Sequence, residues 1–227
     1  MTAYIFDTET TGIDDPDVIE VAWLKLSNDL PDFQIHSQFC ERYKPSKPIS
    51  LGALAVHHIL DEELEGCPPS SSFKLPDDAQ FIIGHNVDYD WQAIGKPDVK
   101  RICTLSLSRY LLPKLDTHSQ SAMYYYFFRS DAKNALRNAH NALVDVQNCA
   151  RLLQELINKL TEQKPINTWE DLWLLSEEAR IPKIMPFGKH KGMLITELPT
   201  SYCEWVLKQD NFDPYLIKAI KNALSAK

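Results

Sequence analysis

The sequence predicts an α/β fold, a mixed β-sheet flanked by helices and followed by a small C-terminal module. Three observations carry this expectation. The first 43 residues hold three β-rich stretches joined by short turns, the pattern of an antiparallel meander. From residue 79 onward, short apolar runs alternate with helical patterns, which indicates parallel pairing. After about Ile181, prolines, glycines and aromatics crowd together and set off a separate unit.

Residues 2–8 read as the first strand, 18–26 (VIEVAWLKL) as the second and 33–43 (FQIHSQFCERY) as the third, with NDLPD as the turn between the last two. Segment 50–60 (SLGALAVHHIL) reads as a short helix with Ser50 as N-cap. GCPPSSS (66–72) is a surface loop, and the apolar runs 79–86 (AQFIIGHN) and 101–105 (RICTL) read as buried strands. Residues 139–160 (AHNALVDVQNCARLLQELINKL) carry apolar side chains at helical spacing. The expected domains are 1–163, then a helical connection over 164–182, then a C-terminal unit over 183–227.

The bulk numbers narrow the function. With 24 Lys and Arg against 31 Asp and Glu, the net charge is −7, so a polyanion would have to be met by a local basic patch or by bound cations. No apolar run approaches the roughly 18 residues of a membrane span, and no secretory signal opens the chain, so membrane partners are not expected. Five scattered cysteines without a CxxC pair fit reduced thiols in a cytoplasmic protein.

The chemistry is concentrated in the acids. Asp7 and Glu9 in YIFDTETTG stand two apart on a strand, so they share a face, while Thr8 turns away. Like charges so close cost energy unless something neutralises them. Asp145 lies on the apolar stripe of the long helix with Ala142, Cys149, Leu152 and Leu156. Such a carboxylate requires a proton, a cationic partner or a metal; a salt bridge, or the helix dipole, would also answer the need. His140 would point about 140° from Asp145 if both were helical. It therefore belongs on the loop entering the helix, with Asn141 as N-cap. Asp88 and Asp90 follow the strand at 79–86. Clustered carboxylates without cysteine select Mg²⁺ or Mn²⁺ over zinc, and a pair of such ions clamps the attacking and leaving oxygens of a phosphodiester.

FDTETTG, HNVDYD and HNALVD, in this order over residues 7–145, resemble the three motifs of the DEDD superfamily of 3′→5′ exonucleases. The histidine five residues before the last aspartate is similar to the DEDDh branch. The C-terminal MPFGKHKG resembles the short domain of exonuclease X-like proteins. The resemblance implies a ribonuclease H-like sheet and two Mg²⁺ ions, with Mn²⁺ as substitute, held by Asp7, Glu9, Asp90 and Asp145. It makes His140 the general base and demotes Asp88 to a turn or cap residue. It implies release of nucleoside 5′-monophosphates from nucleic-acid 3′ ends, with DNA favoured over RNA, and a polymerase, a repair protein or a second copy as partner. The alternatives are an exoribonuclease and an accessory subunit. Thr10, at the turn after the first strand, and His57, in ALAVHHI, would contact the terminal nucleotide. The family's glycine after that histidine is His58 here, and a core or surface role for His57 is equally open. Lys189 and Lys191 would hold substrate phosphates. Their alternative is a solvated turn beside a hydrophobic core of Met185, Phe187 and Trp205.

Overall fold

The first strand, β1 (Ala3–Thr10), is buried along nearly its whole length, with Asp7 the only half-buried position. It pairs antiparallel with β2 (Val18–Leu26), which pairs antiparallel with β3 (Ile35–Arg42). On its other side β1 pairs parallel with β4 (Phe81–Gly84), and β4 pairs parallel with β5 (Lys100–Cys103). The order β3-β2-β1-β4-β5 makes a mixed five-stranded sheet with β1 at its centre. A Cβ on Gly84 would lie 2.9 Å from the Phe6 carbonyl, so glycine is required where β4 runs closest to β1. The computed structural model describes residues 1–137, 140–209 and 212–225.

The helices fill in between the strands. α1 (Leu51–His57) starts from Ser50, whose hydroxyl accepts from the Ala53 amide, and ends where His58 adopts a left-handed φ of 59°. It is thus shorter than the 50–60 read from sequence. α2 (Asp88–Ala93) follows β4, and α3 (Thr104–Leu111) follows β5, taking the last two residues of the expected strand 101–105. α4 (Gln120–Phe127) and α5 (Arg129–Ala135) lead to α6 (Ala142–Thr161), which Asn141 caps by accepting from the Val144 amide. Ala139, where the sequence reading begins this helix, lies outside the described residues. α6 packs across β1 and β2 and buries Ala142, Val146, Cys149, Leu152, Leu153 and Leu156. Against the opposite face of the sheet, Phe6, Val21 and Ile82 pack with Val87 and Trp91 of the segment around α2.

The chain forms two compact units, Met1–Ser176 and Glu177–Lys227, the division falling inside α7 (Trp169–Ala179). The second unit contains α8 (Thr200–Leu207) and α9 (Pro214–Ser225) around a core of Met185, Ile195, Leu198, Cys203, Val206 and Ile220. Phe187 and Trp205 do not join this core; they are 40% and 49% exposed. Among the described residues no helix is long and apolar enough to cross a membrane.

Candidate active site

Strand alternation turns Asp7 and Glu9 to the face covered by α6, and Asp145, in the first turn of α6, comes down to meet them. One carboxylate oxygen from each of Asp7, Glu9 and Asp145 lies within 4.8 Å of the other two. Asp90 is outside this trio, yet its charge acts on both Asp7 and Glu9. It is fixed by Thr8, which donates to Asp90 Oδ1 from its backbone N at 3.0 Å and from Oγ1 at 2.8 Å. Thr8 therefore has a part in the site: the face to which it turns is the one from which α2 delivers Asp90. Asp88, two residues earlier, makes an ion pair with Arg101 instead.

The electrostatics of the cluster are those of an uncompensated acid group. Burial, then the charges of Asp90, Asp145, Glu9 and Glu20, hold the Asp7 carboxyl well above the usual range. Burial first, and then Asp145, Glu20 and Asp90, push Glu9 up to about 8. Burial raises Asp90 to about 7 against the opposing bonds from Thr8. Burial also raises Asp145, against the His140 amide, which donates to Asp145 Oδ2 at 2.8 Å, and against Gln120. Four carboxyls that resist losing their protons, on three elements of a rigid sheet-and-helix frame, suit a hard divalent cation, which would offset their mutual repulsion.

His140 stands just before the Asn141 cap, exposed, with a left-handed φ of 68°. That backbone turn lets its amide reach back to Asp145 while the residue stays at the mouth of the cluster. Beside the carboxylates opens a cavity of about 320 Å³ whose walls include Glu9, Thr10, His57 and Tyr89, with the exposed Ile13 and Val56 at its edge. Thr10 Oγ1 donates to the Gly12 carbonyl at 2.9 Å and is bonded to the Tyr89 hydroxyl. His57 is 7% exposed; its Nδ1 accepts from the Ile59 amide at 3.0 Å, which assigns the ring proton to Nε2. Nε2 is buried and faces the Thr10 backbone carbonyl, short of full hydrogen-bonding geometry. Burial, and then His58, lower the His57 pKa, so this ring is neutral at pH 7. Lys189 and Lys191 belong to the second unit, on the loop Phe187–Gly192.

Glu20 escaped the sequence reading. It is 2% exposed and directly opposite Glu9 in the β1–β2 register. Arg42 Nε donates to its Oε1 at 3.0 Å, while its Oε2 accepts from Asn141 Nδ2 at 3.2 Å and from the Ala142 amide at 3.1 Å. Glu20 thus ties the start of α6, and through it Asp145, to the sheet. The signal available in the sequence was a lone acid inside the apolar run VIEVAWL.

Comparison with known proteins follows the same outline. The RNase T family model, described as exonuclease, matches residues 4–153. A second model, named for a quorum-sensing-regulated virulence factor, matches residues 178–218. Exodeoxyribonuclease 10 of Escherichia coli strain K12 is 25% identical over 228 residues, covering 97% of each chain. A PolC-type DNA polymerase III of Listeria welshimeri is 26% identical over 75% of this chain but only 12% of its own length. Among solved structures, exonuclease X in complex with 5′-overhanging duplex DNA superposes with a TM-score of 0.57 at 24% identity, over 75% of this chain and 99% of that one. At that identity the likeness establishes the ribonuclease H-like fold.

Proposed function

Because the chain belongs to the RNase T exonuclease family, as a 3′→5′ exonuclease of the DEDDh type, we propose that it releases nucleoside 5′-monophosphates from DNA 3′ ends. Single strands are the preferred form, two Mg²⁺ ions serve the site with Mn²⁺ as substitute, and the setting is DNA repair or proofreading in the cytoplasm. The observation that carries this reading is the convergence of Asp7, Glu9 and Asp145 within 4.8 Å, with Asp90 acting on Asp7 and Glu9 from α2. The preference for DNA is supported by likeness over 97% of both chains to a relative named an exodeoxyribonuclease. The reducing setting is supported by five free cysteines.

Asp7, Glu9, Asp90 and Asp145 would hold the divalent ions, which when bound would supply Lewis acidity and charge neutralisation at the scissile phosphate. Asp7 adjoins Glu9 and Asp145 and also feels the charge of Asp90, so its carboxylate would be shared between the ligands of the two ions. His140, exposed at the mouth, takes the proton of the attacking water. Its amide bond to Asp145 couples the loop that carries the base to the ligand cluster. The bond that breaks joins phosphorus to the 3′ oxygen of the penultimate nucleotide. The cavity beside Glu9 receives the terminal nucleotide, with Ile13 and Val56 against the base and His57 Nε2–H as a donor to the sugar or phosphate. Thr10, bonded to Gly12 and Tyr89, holds the cavity wall. A polymerase or repair partner, or a second copy, is tested by co-purification and by solution mass.

The reading is tested by giving the purified chain 3′-blocked and 5′-blocked single-stranded DNA and RNA, in Mg²⁺ and in EDTA. Mononucleotide release from 5′-blocked DNA, lost with a 3′ block and lost in EDTA, is the expected result. Full activity in EDTA, release from the 5′ end, or faster release from RNA would overturn it.

A further inference from the structure

We propose that the second unit carries a nucleic-acid site of its own, a cluster of aromatic rings with lysines beside it, on whose exposed members, Trp205 and Phe187, bases of a single strand stack. Trp205, the largest side chain of this unit, is 49% exposed, and Phe187 is 40% exposed. Burial of a tryptophan or phenylalanine is among the largest apolar gains open to a small unit, so leaving both in water points to a binding surface.

These rings form one cluster of successive contacts whose first and last members sit on the same loop. His190 lies 4.4 Å from Tyr202, Tyr202 stacks on Trp205 at 5.7 Å and 29°, Trp205 meets Phe212 edge-on at 5.9 Å, and Phe212 stacks on Phe187 at 5.6 Å and 18°. Each ring is oriented by its neighbours, so little rotamer freedom is lost when a base is added. The backbone supports the arrangement. Met185 N donates to the Met193 carbonyl and Gly192 N to the Met185 carbonyl, both at 2.9 Å, closing a loop in which Gly188 takes a φ of 71°. That loop carries Phe187, Lys189, His190 and Lys191 together.

The charge identifies the occupant. Residues 177–227 hold eight Lys and Arg against six Asp and Glu, in a chain whose net charge is −7. Lys189 and Lys191 lie on the loop that carries both terminal rings, Phe187 and His190. Phe212, between Trp205 and Phe187, borders an open groove of about 470 Å³ whose walls include Lys218 and Lys221. Clustered aromatic faces, with ammonium groups on the Phe187–Lys191 loop and beside Phe212, match a strand that offers both bases and phosphates. The site holds the strand without reading its sequence, because every base has a face to stack. It deepens the nuclease reading by giving the substrate a second hold, and rests on that reading for its hydrolysis control alone.

The experiment measures binding of the full chain to a labelled 20-nucleotide oligothymidylate in EDTA. Trp205→Ala is expected to weaken binding by about 5- to 150-fold, the range for loss of one stacked base, with Trp205→Phe restoring most of it. Lys189→Ala/Lys191→Ala is expected to lower the slope of log affinity against log salt by about 1.4, from roughly 0.7 per phosphate contact on a single strand. Hydrolysis of a dinucleotide in Mg²⁺ should be unchanged in Trp205→Ala and Trp205→Phe. Oligothymidylate binding unchanged in both alanine variants would overturn the proposal and leave the cluster to a protein partner. Equal loss with Trp205→Phe would overturn it too, since stacking would not be the cause. A chain that hydrolyses nothing in Mg²⁺ defeats the nuclease reading, while the binding results in EDTA still decide this one.

Discussion

Glu9→Gln removes one charge from the acidic cluster and keeps the shape of the side chain. Glu9 is 9% exposed, opposite Glu20 across the strand pair and within reach of Asp145. Its carboxyl is pushed from 4.5 to about 8, first by burial and then by its acidic neighbours. A carboxyl with a higher pKa in the folded state binds more protons folded than unfolded. Its contribution to stability is therefore whole below pH 4.5 and is lost as pH rises toward 8. At pH 8 the loss is about 4 kcal/mol for this group taken alone. Proton uptake by the neighbouring carboxyls relieves part of it, so the substitution should stabilise the metal-free protein by about 2–4 kcal/mol. In a chain of this length that is a rise in Tm of about 4–16 °C. The assay is thermal unfolding in EDTA at pH 8 and pH 4.5, repeated at pH 8 with Mg²⁺. The gain should vanish at pH 4.5, where wild-type Glu9 is protonated in the fold. Added Mg²⁺ should raise the Tm of the wild type much more than that of the variant, which has lost a ligand. A variant no more stable than wild type at pH 8 in EDTA, or equal stabilisation of both by Mg²⁺, would refute the reasoning.

Asp7→Ala should abolish metal-dependent degradation while the circular dichroism spectrum stays native; full activity in this variant sinks the assignment of Asp7 to the metal site. His140→Ala should lower kcat by roughly 10²–10⁴-fold, the usual size of acid–base catalysis, whereas a change in KM alone would remove His140 as the base. Glu20→Ala leaves the buried Ala142 amide without its acceptor. It should cost about 1–3 kcal/mol in urea unfolding and weaken Mn²⁺ binding about 10- to 100-fold through displacement of Asp145. Calorimetric Mn²⁺ titration with unchanged affinity would show that Glu20 does not position the ligand.

Local pattern was enough for the elements that depend on neighbours in sequence. Alternation in YIFDTETTG put Asp7 and Glu9 on one face, and helical spacing put Asp145 on the stripe that α6 turns to the sheet, because both periods are properties of the backbone itself. The Ser50 and Asn141 caps were legible for the same reason, each being a side chain within three residues of the amide it satisfies. The Thr8 bonds to Asp90 span 82 residues, and the Glu20 bond to Ala142 spans 122. No local period encodes such pairings; they exist only once β1, β2, α2 and α6 are packed. Likewise the core expected around Met185, Phe187 and Trp205 kept only Met185, because hydrophobicity says which side chains gain from burial but not which ones the surrounding helices can cover. The sequence by itself determined that Asp7 and Glu9 share a face of the first strand and that the long helix carries Asp145. Only the tertiary structure decided that Asp7, Glu9 and Asp145 converge within 4.8 Å, that Thr8 holds Asp90 and Glu20 the start of α6, and that Trp205 and Phe187 stay exposed, since each depends on how distant segments that share no backbone period pack.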